Sequence, residues 1–473
     1  MSVASMALPI ARWQPPGWAH LAVRGVSVTG ILAALALAGT RGQGEAIPVA
    51  LAGLALGIGG IYALFRGADR RFLLTLFLAA FALRLLAAVI SNPYLISVGR
   101  TKEGVENDRC EGCLFQDDRA YTRTAWALAR TWMGTIPGVA SSDAYLLKTY
   151  TFAVGGLYYV FGREIMLPKF MNAFFGAAGA VAMFALGREL GGRRVGVFAA
   201  IAGAVWPSLI LWSVINLKDA LVVLLIATVM AVALRFGRRP SIITLVALLG
   251  TFALLEDLRL YVYYAFGWLV PISFFLGSDR PWRQRLAIGI GLWATIVALM
   301  FVMGQGTQWL GLRYLTDKRV EALDTSRRFG ADTAESGIDL EAIPRSDGGW
   351  VKQLTNAPRV LPYVLFAPFP WSATSPRNAA LVTETVAWVA IEVLAVVAVI
   401  GLGRSHWRTL FMPIVFWGGL VFVFSIIEGN VGTIFRHRAM LMPAGFTVGA
   451  MGLFWLVDRF GSRRPSLVTS AVR

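Results

Sequence analysis

Apolar runs of about 17–25 residues recur along this chain, separated by short breaks that are polar or basic. Wound as helices, runs of that length cross roughly 30 Å of hydrocarbon with every backbone hydrogen bond satisfied internally. The runs lie near residues 22–40, 48–65, 72–91, 167–187, 196–214, 219–235, 242–257, 261–277, 286–304, 380–402, 409–427 and 439–457. They predict an all-α integral membrane protein with about twelve transmembrane helices. Two stretches interrupt the pattern, residues 92–166 and about 305–379, and are expected as excursions outside the bilayer. The chain therefore divides into residues 1–71 (a tail and two apolar runs), 72–304 (a membrane module carrying the 92–166 loop), 305–379 (a loop or lid) and 380–473 (the last helices and a tail).

Composition supports this division. The 473 residues are 57% hydrophobic and only 15% charged, with a mean hydropathy of +0.63, whereas a soluble domain carries about a quarter charged residues. The net charge of +17 would suit a nucleic-acid partner, but the bases sit in short loops between apolar runs, so they are read as topology signals and no nucleic acid is expected. One set of loops holds Arg66, Arg70 and Arg71, then Arg188, Arg193 and Arg194, then Arg235, Arg238 and Arg239, then Arg280, Arg283 and Arg285, then Arg404 and Arg408. Under the positive-inside rule both termini are cytoplasmic and the 92–166 loop is extracytoplasmic, across a bacterial-type inner membrane. The first apolar run, with Arg12 before it and ALALAG near its end, is expected as an uncleaved span rather than a signal peptide, and cleavage would leave the remaining topology unchanged.

Inside the first excursion, QDDRAY (Gln116–Tyr121) opens an amphipathic segment. A helix from about Asp118 to Trp132 puts Tyr121, Ala125, Leu128 and Trp132 on one face and Arg119, Arg123 and Arg130 on another, as in a helix lying in the interface with arginines toward lipid phosphates. Asp117 would sit near its N-cap and Asp118 in its first turn, where the helix dipole favours a carboxylate. Just before it, Cys110 and Cys113 in CEGC are expected to form a local disulfide, two free thiols being the alternative. Zinc would need about four ligands, and His20, His406 and His437 are all distant in sequence. In the second excursion, residues 313–349 mix charge with Gly and Ser and predict a mobile loop or lid. Its end, WVKQLTNAPRVLPYVLFAPFPW, is expected as an interfacial segment in which Pro358, Pro362, Pro368 and Pro370 break any long helix. Phe366, Phe369 and Trp371 would serve as an interfacial aromatic belt or stack on a sugar.

Several residues in these outer positions could carry chemistry. Asp117 and Asp118 would supply a general base, with a divalent cation on the pair as a further option, or act only as a cap and a solvated acid. Lys148 would bind phosphate as a point charge or snorkel to water. Asp219, next to Lys218 at the outer mouth of a run, is an ionisable group at costly depth. Arg259 stands in an outer turn, and Arg436, His437 and Arg438 form FRHR after the flexible EGNVGT stretch. Arginine forks match phosphate oxygens, whether of a substrate or of lipid headgroups. A base, a set of outer cations and an adjacent membrane suit transfer of a sugar from a lipid phosphate, because the phosphate leaves as a stable anion and electrostatic stabilisation carries the reaction.

At this point the chain resembles the GT-C membrane glycosyltransferases, especially the branch containing dolichyl-phosphate-mannose protein mannosyltransferases and bacterial lipid A aminoarabinose transferases. There an outer loop carries D-[DE]-x-x-Y, matched here by Asp117, Asp118 and Tyr121. GLYYVFGREIMLPKFMNAFFGAAGAVAMFALGREL and then AGAVWPSLILWSVINLKDAL, with Asp219, follow the branch's order, so the resemblance covers about residues 72–235. It implies inverting transfer from a polyprenyl-phosphate sugar to a lipid, glycan or protein acceptor. Asp117 would be the base, Asp118, Tyr121 and Asp219 would shape acceptor or metal binding, and Lys148, Arg259, Arg436, His437 and Arg438 would hold the donor phosphate. The sequence departs from the branch in two places: Thr149 and Tyr150 follow Lys148 where some members have Pro-Pro, and two apolar runs precede the acidic loop where many have one. No cofactor is assigned beyond the optional cation. Competing expectations are a polysaccharide polymerase or ligase using lipid-diphosphate glycans, a lipid-linked sugar transporter, and a structural membrane subunit.

Overall fold

The computed structural model describes residues 17–101, 112–113, 116–277, 280–302, 349–372, 376–428 and 431–461. Among these every regular element is helical. The helices are α1 (Gly17–Thr40), α2 (Ile47–Leu64), α3 (Gly67–Thr101), α4 (Gln116–Trp132), α5 (Thr149–Phe161), α6 (Met166–Gly191), α7 (Arg193–Val205), α8 (Pro207–Leu211), α9 (Asp219–Arg238), α10 (Ile242–Leu258), α11 (Leu260–Gly277), α12 (Trp282–Val302), α13 (Gly349–Phe366), α14 (Pro376–Ile427), α15 (Val431–His437) and α16 (Met442–Gly461).

Six of the described helices, α1, α2, α3, α6, α9 and α14, are long and apolar enough to cross a membrane, or seven if α15 and α16, bent by 65°, count as one span. That count is lower than twelve for identifiable reasons. The runs expected at 380–402 and 409–427 join into α14, interrupted only at His406, whose φ of −123° and ψ of 17° are non-helical. The run expected at 196–214 breaks at Trp206, which is extended before Pro207, because a residue preceding proline is driven out of the helical region. The freed carbonyls at the end of α7 are met by Arg84, wholly buried on α3, which donates to Ala204 O at 2.8 Å, to Gly203 O at 2.9 Å and to Ser213 Oγ at 3.2 Å. The break sends residues 212–218 across the end of the bundle and brings Asp219 to the start of α9.

α6 is the spine, packing on α2, α3, α7 and α9. Its approach to α7 depends on glycine: a Cβ on Gly187 would lie 2.7 Å from Gly196 Cα, so the backbones meet as in close-packed membrane helices. α14 packs along α16, α13 and α11, and α16 returns to α7.

α4 forms as expected, with Asp117 and Asp118 in its first turn and Arg130 in its last. It ends at Gly134 (φ +71°), with Thr135 N donating to Arg130 O at 2.9 Å and Gly134 N to Thr131 O at 3.0 Å, a Schellman stop that requires the left-handed conformation glycine tolerates. Its apolar face does not lie free in an interface. Tyr121, Ala125 and Leu128 are buried, packed on α5 where Gly155 leaves room for Leu128. The arginine face is likewise partly occupied, since Arg123 forks onto Asp143 at 2.9 and 3.2 Å.

The proline-rich end of the second excursion is also more regular than expected. α13 runs through Pro358 and Pro362. The two prolines are four residues apart and share a helix face, so the missing amide donors fall in one strip and the rest of the ladder survives. Phe369 and Trp371 stack on each other at 4.6 Å. The loop or lid expected over 313–349 lies outside the described residues except for Gly349.

Candidate functional site

The first turn of α4, the start of α9, the α10–α11 junction and α15 converge at one end of the bundle. Arg436, on α15, donates from Nε to Asp219 Oδ2 at 2.9 Å and from Nη1 to Asp117 Oδ2. Arg259, between α10 and α11, donates from Nη2 to Asp219 Oδ1 at 2.9 Å. Asp219 is only 2% exposed at its side chain and both of its oxygens are held by arginine, whereas Asp117 remains 58% exposed. Of the two acids, Asp117 is the one an incoming molecule can reach. Burial raises its carboxyl, but Arg436 and Arg259 outweigh that and hold it below the usual carboxylate range.

Lys218 completes the cluster. Its ammonium lies 5.8 Å from the centre of the Tyr121 ring and makes no hydrogen bond or ion pair among the described residues. Burial, and after it the Arg259 guanidinium, push it down to about 7. Arg259 adds a buried Nε–H without an acceptor among the described residues. Two guanidinium groups and an ammonium thus face two carboxylates, and the surplus is donors and positive charge. Such a surplus of donors and positive charge favours an anion, with one accessible carboxylate at the cluster's edge.

The other expected residues separate from this cluster. Asp118 is 1% exposed and lies within electrostatic reach of Lys169 and Tyr158. Successive helical residues project about 100° apart, so the adjacent acids turn into different surroundings and do not form a joint carboxylate pair. No group of three or more His, Cys, Asp or Glu side chains able to hold one ion occurs among the described residues, and Arg436 occupies the space between Asp117 and Asp219. Lys148 pairs with Asp257 at 3.4 Å on the rim of the cluster, since Asp257 also acts on Lys218.

His437 and Arg438, also expected at the donor phosphate, make their hydrogen bonds away from Asp117 and Asp219. His437 turns to Glu428 through Nδ1 and stacks on Phe424. Arg438, 2% exposed, donates to Val364 O and Thr385 Oγ1, each at 3.2 Å, and to Ala367 O. Of the three, Arg436 hydrogen-bonds the acids; His437, the last residue of α15, lies within electrostatic reach of Asp219, and Arg438 follows the helix. Cys113 is disulfide-bonded and buried, 3.7 Å from Thr122 Oγ1. Cys110 lies outside the described residues.

A second layer, which the sequence reading missed, fixes the site's walls. Asn172 Nδ2 donates to Ile215 O at 2.7 Å, Leu217 O at 2.9 Å and Tyr150 OH at 2.9 Å. Tyr150 OH donates to Asn216 Oδ1 at 2.8 Å, and Asn216 Nδ2 donates to Thr122 Oγ1 at 2.7 Å. The chain of bonds ties α6, α5, the 212–218 segment and α4 together, all of it buried. Lys169 does the same nearby, donating to Asn92 Oδ1 at 2.8 Å and Gly112 O at 3.0 Å. The available signal was Lys169 and Asn172 three residues apart within an apolar run, since polar groups buried there need partners.

Compared with known proteins, the chain matches no family model and no curated sequence.

Proposed function

We propose that this protein is a multi-pass membrane glycosyltransferase that moves one sugar from a polyprenyl-phosphate donor to a lipid, glycan or protein acceptor. The observation that carries this reading is the bridge Asp117–Arg436–Asp219, with Arg259 and Lys218 beside it, at one end of a bundle of long apolar helices. In the proposed topology the bundle crosses the membrane about twelve times, α14 counting as two crossings. Both termini are cytoplasmic and the cluster is extracytoplasmic, in a bacterial-type inner membrane. The GT-C resemblance of residues 72–235 agrees with this assignment.

The donor phosphate would take the surplus donors of Arg436, Arg259 and Lys218. In doing so it competes with Asp117 for Arg436. A carboxylate released from an arginine regains basicity, so donor binding itself would prepare Asp117 as the base. Asp117 accepts the proton of the acceptor hydroxyl as that oxygen bonds to the anomeric carbon from the face opposite the phosphate. The bond from that carbon to the phosphate oxygen breaks with its electron pair, leaving polyprenyl phosphate on the cations and an inverted linkage on the product. Asp219, buried and doubly held, keeps Arg436 and Arg259 in place. Asp118 supports the fold of the loop from its buried position.

A second reading, transport of a lipid-linked sugar, draws on Glu392, set within the α14 span and within electrostatic reach of buried Arg438, because acids at membrane depth mark relays. Purified protein offered labelled polyprenyl mono- and diphosphate sugars decides between the readings. Transfer from a monophosphate donor that falls at least about a hundredfold in Asp117→Asn supports the proposal. Transfer from diphosphate donors alone points to a polymerase or ligase. Passage of the lipid-linked sugar across proteoliposomes without turnover replaces the proposal with transport.

A further inference from the structure

At the opposite end of the same helices lies a groove of about 700 Å³, within the range of sites that hold a drug-sized ligand. Its floor is α6, and its walls are α2 on one side and the α9–α10 hairpin on the other. Leu56, Leu64 and Ile243 stand at its lips, 64%, 73% and 77% exposed, so it opens sideways, toward where hydrocarbon surrounds a membrane protein. Along α6 it runs from Phe174 to Glu189, roughly 20 Å at 1.5 Å per residue. That is long enough for much of an extended acyl chain within one leaflet.

The charge at the groove's end is not balanced. Arg235 and Arg239 line it, are exposed, and make no side-chain hydrogen bond or ion pair among the described residues. Arg235 lies in the last turn of α9 and Arg239 is the residue that follows the helix. The acid beside them, Glu189, is already held by Arg238 at 2.8 Å, and Arg188 by Asp69 at 3.2 Å. The groove therefore presents an apolar channel capped by two uncompensated arginines.

We infer that this groove is a binding site for one anionic glycerophospholipid. An acyl chain lies along α6 and the headgroup phosphate rests on Arg235 and Arg239. Basic pockets between membrane helices recognise anionic headgroups in this way. The site is separate from the acidic–basic cluster, since α9 carries Asp219 at one end and Arg235 some 24 Å away at the other. In the topology proposed above it faces the cytoplasmic leaflet, but the binding itself can be measured whether or not the protein transfers sugars.

The test is native mass spectrometry of the full chain in detergent, titrated with phosphatidylglycerol and phosphatidylcholine of matched chains. At roughly fivefold per arginine, the expected preference for the anionic lipid is about twenty-five-fold for the first molecule bound. Arg235→Gln/Arg239→Gln should erase the preference while leaving phosphatidylcholine binding unchanged. Gly60→Trp should weaken both lipids, because Gly60 borders open space in the groove and an indole would fill it. If the double variant does not fold, Arg239→Gln alone should lose about fivefold of the preference. Equal affinity for the two lipids in the wild type, or a preference that survives the arginine variants, overturns the inference. So does displacement of phosphatidylglycerol by equimolar polyprenyl phosphate, which would make the groove a donor-lipid site instead.

Discussion

Arg436 reaches Asp219 across 217 residues of sequence, Nε to Oδ2 at 2.9 Å, with both side chains nearly closed to solvent. The contact joins α15 to the start of α9 and leaves the other end of the guanidinium for Asp117. In the proposed reaction, an arginine shared between a buried acid and an accessible one would hold the accessible acid in reserve until the donor phosphate claims the arginine.

Breaking that contact should be costly. Arg436→Ala leaves Asp219 with Arg259 alone in a buried setting, and removing one partner of a buried pair costs about 3–5 kcal/mol. Thermal unfolding in detergent should show it. Adding Asp219→Asn should recover part of the loss, because the unpaired charge is then gone. If the double variant is as unstable as the sum of the two single ones, the two side chains do not interact.

Lys218 gives a pH signature. Its ammonium is held down to about 7 by burial and by Arg259, against about 10.4 in an unfolded chain. Between those values the unfolded chain binds a proton that the folded chain does not, so stability rises with pH from about 7 to about 10.4 and is flat with respect to this group below 7. Lys218→Met should remove that rise. Melting temperatures of both proteins from pH 6 to pH 10.5 would show it, and parallel curves would mean that Lys218 is not desolvated.

Asn172 should matter more than its place in an apolar helix implies. Asn172→Leu strands the carbonyl of Leu217, leaves that of Ile215 with the Leu217 amide alone, and removes a donor to Tyr150. Each buried group left without a partner costs about 1–3 kcal/mol. The 212–218 segment should loosen, seen as faster hydrogen exchange there than in wild type, while α16 stays protected.

The α6–α7 contact is a steric prediction. Gly187→Leu would drive a side chain into Gly196 at 2.7 Å and force the helices apart, so little monodisperse protein should be recovered. Gly60→Ala, facing open space, should behave as wild type.

Asp117→Asn tests the base. Because the wild-type carboxylate is half-exposed and paired on one side only, the substitution should leave melting within about 1 kcal/mol of wild type, as for exposed pairs, while transfer falls at least about a hundredfold. Full transfer by the variant would move the base elsewhere.

Much was decided by the sequence alone. The longest apolar runs specify helices of membrane-crossing length, since a bilayer tolerates little else, and the 3.6-residue period of QDDRAYTRTAWALARTW specifies α4 with its acids in the first turn. The proline after Trp206 marks the break that shapes the 212–218 segment. Which charged side chains meet was decided only by tertiary structure. Asp117 and Asp118 are neighbours in sequence yet face different partners, and Arg436, His437 and Arg438 diverge where α15 ends. Lys218, read as Asp219's neighbour, became part of the charged cluster around Asp219, and the groove of Arg235 and Arg239 arises only where α2, α6 and the α9–α10 hairpin pack. The reason is physical: periodicity is a local property that one segment carries, whereas the direction and partner of a charge depend on how separate helices rotate against one another. That rotation is set by contacts such as Gly187 on Gly196, many residues away from the charges themselves.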